Sequence, residues 1–224
     1  MYEQLTTLAP DLHVFQTRGS KGLGRVMTVM GLPGGRLAIH SAIDLDEPAR
    51  LDALGKVAFI LVGNRMHTIE APVLAERYPE AAVLAPRAVA PKLKLRTPAS
   101  DAESAWPGEL DSALACVPLG GTRLNEVAYI HRSSRTLVLC DLAFHFRTED
   151  FQGFMRSGMA FNESLGPMGP TRLFRTVLVG DQAAFRGSLA RLFEEDFDRV
   201  IVSHGHVLES GGKEVLRTSF ARWL

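Results

Sequence analysis

Two cysteines in 224 residues leave no room for a disulfide-stapled secreted scaffold. Cys116 and Cys140 each lie inside an apolar run, Ala-Leu-Ala-Cys116-Val and Leu-Val-Leu-Cys140-Asp, where a cysteine behaves as a small core hydrophobe. Net charge is also missing. Twenty-five basic residues balance twenty-five acidic ones, so no broad field draws the chain to nucleic acid or to an anionic membrane. No apolar run approaches the roughly 18 residues that span a bilayer, and the first residues, Met-Tyr-Glu-Gln-Leu-Thr-Thr, lack a basic-then-apolar signal pattern. A cytoplasmic location is the expectation. There is no internal repeat and no Gly-x-Ser-x-Gly elbow, and Ser203 beside His204 reads as a strand end. The glycine-rich segment 18–24 lacks the spacing of a phosphate loop and precedes a strand rather than a helix, so it reads as a connection.

What is present is the composition of a packed protein, 46% hydrophobic and 22% charged. Arg25 to Leu32 and Arg36 to Ile43 flank Pro33-Gly34-Gly35 and read as a hairpin. Residues 46–55 open on acids and a proline and close on Gly55, the signature of a helix. The run Val57 to Val62 is continuously apolar, which predicts a strand buried on both faces and therefore helices covering the sheet. A short helix over 71–78 and a short strand over 81–85 follow, and four prolines make 86–107 a loop-rich excursion. Strands are expected over 110–119, 126–131, 136–140 and 199–203. Helices are expected over 181–193, capped by Asp181, and over 212–224. Residues 143–180, rich in Phe, Met and Gly, are expected to form helices and loops near the site mouth, and the stretch from Phe144 to Phe174 suits an apolar lid, a dimer surface or core equally. Both halves share one plan, a hairpin leading into helix-flanked strands, which suits one α/β domain over 1–224 built as two sheets face to face with helices outside.

Four polar positions close or follow strands: His40, the segment Asn64-Arg-Met-His67, Asp141, and Ser203-His204-Gly205-His206. Strand ends are where α/β folds place ligands, and imidazole with carboxylate is a donor set for zinc, iron or manganese. The same residue types also serve as structural hydrogen-bonders.

The order of these segments resembles the metallo-β-lactamase superfamily. Leu139-Cys140-Asp141-Leu142 matches the strand-end Asp of that family's second half, and Val200-Ile-Val-Ser-His204-Gly-His matches its last metal-binding His before a final helix. The resemblance implies a four-layer αββα sandwich and a metal-dependent hydrolase. The departures are equally specific. Where the family carries His-x-His-x-Asp-His, this chain reads Gly63-Asn64-Arg65-Met66-His67-Thr68-Ile69-Glu70. No histidine stands near Pro118 to Thr122, and His40 replaces an early strand-end Asp. A standard dinuclear zinc site cannot be assembled, and the pattern is similar to an uncharacterised branch of the superfamily, catalogued as a domain of unknown function (DUF4336-like).

The resemblance implies that His40, His67, Asp141 and His204 converge on one cleft and hold a single divalent metal (zinc, iron or manganese), with Asp141 and His67 taking part in catalysis. The alternative is a metal-free hydrogen-bonded cluster in a non-catalytic protein that binds a small molecule or protein partner. As a hydrolase the chain would act on an ester, thioester, phosphoester or lactone. The partners expected are a small-molecule substrate and a second copy of the chain as a homo-oligomer, with neither nucleic acid nor membrane. Among the other polar residues, His206 is a weaker ligand candidate, His145 a hydrogen-bonder near the mouth, Glu70 a helix cap, Arg65 an anion clamp or surface ion pair, and His13 and His131 solvated.

Overall fold

The computed structural model describes residues 2–18 and 23–224. Most of the glycine-rich segment 18–24 falls on 19–22, outside the described residues. The first sheet has seven strands in sequence order: β1 (Tyr2–Ala9), β2 (Leu12–Arg18), β3 (Arg25–Leu32), β4 (Arg36–His40), β5 (Lys56–Leu61), β6 (Ala82–Ala85) and β7 (Ser100–Asp101). The first four are antiparallel, and β4 to β7 run parallel. Gly34 and Gly35, at φ +77° and +69°, make the β3–β4 turn, a left-handed backbone that favours glycine. The second sheet is ordered β11 (Arg199–Ile201), β10 (Thr136–Val138), β9 (Glu126–His131), β8 (Leu114–Leu119), with only β10 and β11 parallel.

Side-chain alternation sorts the apolar residues into three cores. Leu12, Val14, Val26, Met30, Ala38 and Phe59 of the first sheet meet Val127, Tyr129, Val138 and Ile201 of the second. The other face of the first sheet, with Phe15, Val29, Ile39 and Val57, packs on Leu51 of α1 (Ala49–Asp52) and Leu74 of α2 (Ala71–Arg77). The outer face of the second sheet, with Val117, Ile130, Leu137 and Val200, packs on Phe185 and Leu189 of α4 (Gln182–Glu194) and Leu216 of α5 (Gly212–Ser219). The layers are helix, sheet, sheet, helix, and the strands read as continuous apolar runs because both faces are covered. Asp181 caps α4 by accepting from Ala183 and Ala184 N–H, as its position in the sequence predicts. No helix of the described residues is long and apolar enough to cross a membrane.

Three expectations are corrected. The helix expected over 46–55 shrinks to the four residues of α1 between Pro48 and the Gly55 turn. Strands β1 and β2 precede the predicted hairpin. β1 is an edge strand with half-exposed side chains, so it lacks an apolar run. His131 is buried rather than solvated: it shares a face of β9 with Val127 and Tyr129, so period two points it between the sheets, where Nε2 lies 3.1 Å from Gly31 O and Nδ1 2.7 Å from Ser134 Oγ.

Candidate metal centre

The site forms where β5, β10 and β11 end. After β5 the chain continues through Val62 and Gly63 into the Asn64 loop; after β10 it runs Leu139, Cys140, Asp141; after β11 it runs Val202, Ser203, His204. The two sheets are joined here, because Val127 N–H donates to Gly63 O and Val26 N–H to Ser203 O, each at 2.9 Å. Gly63 is glycine for lack of space: a Cβ there would overlap Cys140 Sγ and His40 Nε2.

His67, Asp141 and His204 are brought together, with one potential ligand atom from each lying within 4.8 Å of the others. His67 Nε2 stands 3.4 Å from Asp141 Oδ2, and His204 Nε2 3.6 Å from Asp141 Oδ1. The far nitrogen of each ring is engaged. His204 Nδ1 donates to Gly24 O at 2.8 Å, and His67 Nδ1 shares a 2.8 Å hydrogen bond with Ser41 Oγ. Phe144 stacks on the His204 ring with centroids 5.8 Å apart. Burial lowers the His204 pKa against the pull of the Gly24 carbonyl and Asp141, which favours neutral imidazole. Burial pushes Asp141 up, but its contacts with His67 and Asn64, together with the nearby His204, hold it below the usual carboxylate range.

His40 is not part of this cluster. Its ring is completely buried one layer below, with Nε2 3.7 Å from Cys140 Sγ, Nδ1 without a partner, and an edge-on contact with Tyr129. Burial, reinforced by His67 and opposed by Asp141, lowers its pKa to about 3. The residue after it, Ser41, reaches His67 instead.

Two residues set the loop and the carboxylate. Asn64 Oδ1 accepts from the N–H groups of Met66 and His67, at 2.8 and 3.2 Å, shaping the turn that presents His67. Its Nδ2 donates to Asp141 Oδ2 at 2.8 Å and Glu126 Oε2 at 3.1 Å, so one amide separates two carboxylates. Glu126, buried at the start of β9, also accepts from the N–H groups of Cys140, Asp141 and Leu142. Burial and the Asp141 charge push its pKa up to about 7 against those donors. Sequence reasoning missed Glu126. Its one signal is an acid opening the otherwise apolar run Val127 to Ile130.

The remaining candidates lie outside the cluster. His206 Nε2 pairs with Asp150 at 2.9 Å, and His145 Nδ1 lies 3.0 Å from His206 O. Glu70 sits at the N-cap of α2 but makes no side-chain cap, because its carboxylate pairs with Arg25. Arg65 reaches the Arg123 carbonyl at 3.3 Å. Above the cluster opens a cleft of about 520 Å³, walled by Met66, Leu124, Phe144, Met159, Leu173 and Leu178.

Solved structures with this arrangement of layers are numerous. The Flv1 flavodiiron core from Synechocystis sp. PCC6803, a metal-soaked structure, superposes with a TM-score of 0.69 at 14% identity over 99% of this chain. The chain spans 60% of that protein's length. The chain has the metallo-β-lactamase fold. The metallo-β-lactamase from Pontibacter korlensis matches at TM-score 0.59 and 10% identity, covering 96% of each chain. FIM-1 from Pseudomonas aeruginosa, in its mono-zinc form, matches at 0.61 and 13%, covering 100% of this chain and 97% of its own. No protein-family model and no curated protein sequence matches the chain.

The donor set fits a cation. With its Nδ1 proton spent on Gly24 O, neutral His204 turns a lone pair at Nε2 toward Asp141 Oδ1, so two acceptors face each other at 3.6 Å. A metal or a proton must lie between such groups. Asn64 Oδ1 is committed to backbone, and among the described residues no fourth His, Cys, Asp or Glu joins the three.

Proposed function

We propose that this protein is a metal-dependent hydrolase working with one divalent ion held by His67, Asp141 and His204, in a reduced branch of the metallo-β-lactamase superfamily that has given up the His-x-His-x-Asp-His loop. The observation that carries the reading is the convergence of two imidazoles and a carboxylate, each already oriented by a second hydrogen bond, at the floor of a cleft. Three protein ligands that leave a position open match catalytic rather than structural zinc. A bound ion would supply Lewis-acid polarisation of a substrate carbonyl and a water of lowered pKa. The chain supplies the rest. Ser41 and Gly24 fix the ring orientations, Asn64 and Glu126 fix the carboxylate, and Phe144 screens His204 from solvent. His40 lies outside the proposed ligand set.

One observation favours a metal-free binding protein instead: Asn64 already donates to Asp141 Oδ2, satisfying part of that carboxylate. Elemental mass spectrometry of protein purified without chelator, beside an Asp141→Ala, His204→Ala variant, separates the two readings. Near-stoichiometric zinc, iron or manganese that disappears in the variant supports the hydrolase. No metal in either protein, before or after reconstitution, overturns it.

A further inference from the structure

Resting on that reading, we infer that the substrate is a neutral, lipophilic acyl compound, an ester, thioester or lactone whose hydrocarbon portion lies in the cleft above His67, Asp141 and His204. The predominantly apolar walls favour such a compound over phosphoesters and other anions.

The 520 Å³ cleft lies within the size range of small-molecule sites, and its apolar surface comes from several segments, among them Met66 and Ile69 in and after the Asn64 loop, Met159 of α3 (Gly153–Phe161), and Leu173 and Leu178 beyond it. Every polar wall residue outside the cluster has a partner within the protein. The cation Arg25 pairs with Glu70 and donates to Ala42 O. Asn162 donates to Ser164 Oγ and accepts from Leu173 N–H, while Thr171 Oγ1 accepts from Phe174 N–H. Arg25 is the one Lys or Arg among these wall residues, and its guanidinium is engaged by Glu70 and Ala42 O, with only a buried Nε left without a partner. Beyond the proposed ion at the floor, the wall therefore supplies little positive charge for a phosphate or carboxylate.

Part of this apolar surface is open to solvent: Ile69 is 77% exposed and Leu173 51%, and α3, which lends Met159 to the wall, buries none of its side chains. A soluble surface that carries such a patch around a polar floor is arranged to take an apolar ligand there. In the reaction, a water oxygen bonds to the acyl carbon, the bond from that carbon to the alkoxy oxygen or alkylthio sulfur breaks, and the leaving group takes a proton from the water. Acid and alcohol or thiol are the products, and no other reactant is needed.

The test is binding and turnover along a chain-length series. Neutral methyl ketones from acetone to dodecanone are titrated by calorimetry into metal-loaded and metal-free wild type, Ile69→Asp and Leu173→Asp, both sites being exposed enough to accept a charge without loss of fold. Affinity is expected to rise two- to four-fold per methylene until the chain outgrows the cleft, and to lose most of that gain in either variant. The corresponding acyl esters and thioesters should follow the same order in kcat/KM, with phosphomonoesters inert. Length-independent affinity, or variants indistinguishable from wild type, overturns the inference even if a short ester or phosphoester is turned over. Length-dependent ketone binding without ester hydrolysis in metal-loaded protein upholds the lipophilic cleft while the hydrolase reading fails.

Discussion

Acid should destabilise this protein through His40, and the size of the effect follows from its surroundings. The ring is fully buried between the sheets, one nitrogen has no partner, and the other faces a thiol at 3.7 Å, so imidazolium would have no carboxylate in hydrogen-bonding reach. Its pKa falls to about 3 in the folded protein from an ordinary 6.5. The unfolded chain therefore takes up a proton that the folded chain refuses. The stability is fully present above about pH 6.5 and is lost as pH falls from there toward the folded value. Between about pH 8 and pH 5 the loss is roughly 2 kcal/mol, from about 1.5 units at 1.36 kcal/mol each. Urea unfolding of wild type and His40→Gln at both ends of that window, in chelator so that metal linkage does not enter, isolates this contribution, because His131 and the other titrating groups are common to both proteins. The wild type should lose about 2 kcal/mol more than the variant on acidification. A direct check needs no variant: the His40 ring proton resonances should not titrate across that window. Parallel pH dependence of the two proteins, or a His40 resonance that titrates in the ordinary histidine range, would refute the reasoning.

Three further outcomes follow from the same geometry. Asn64→Ala removes the amide that shapes the His67 turn and holds Asp141, so zinc affinity measured by competition with a chelating dye should fall about 10- to 100-fold while the fold persists. Glu126→Leu strands the N–H groups of Cys140, Asp141 and Leu142 and should cost roughly 3–5 kcal/mol in urea unfolding, with Glu126→Gln losing less because one acceptor oxygen remains. Gly63→Ala drives a methyl into Cys140 and His40 and should lower stability by about 1–3 kcal/mol in thermal melts, with weakened metal binding, since His67 follows Gly63 in its loop and Asp141 follows Cys140.

The layers were legible because burial on both faces leaves a direct mark: Val57 to Val62 and Leu137 to Cys140 are apolar without alternation, and the Asp181 cap and Pro33-Gly34-Gly35 turn carry local backbone chemistry. What escaped depends on partners distant in sequence. β1 is paired on one side only and half exposed, so it lacks the mark its neighbours carry. Glu126 has its role through Cys140 to Leu142 and Asn64, brought to it by the β9–β10 hairpin and by the packing of one sheet on the other. Glu70 had the position of a cap, yet an arginine 45 residues away claimed its carboxylate.

The strand-end residues divide by parity, which explains why His40 and His204 differ although both follow apolar strands. His40, Cys140 and Ser203 are consecutive in space, with Cys140 Sγ 3.7 Å from His40 Nε2 and 3.3 Å from Ser203 Oγ, and all three are buried. Each is followed by a residue of the site: Ser41, which holds His67, then Asp141, then His204. Successive side chains of a strand point to opposite sides, so the last inward residue packs the floor and the next one clears the sheet. At Ser41 a left-handed backbone, φ 56°, completes that turn outward. A histidine at position 40 is thus in phase with Ala38 and the inter-sheet core, whereas a ligand has to fall one residue later. Counting phase from the buried strand, rather than reading residue type at its end, separates the three residues that meet from the histidine that supports them from below.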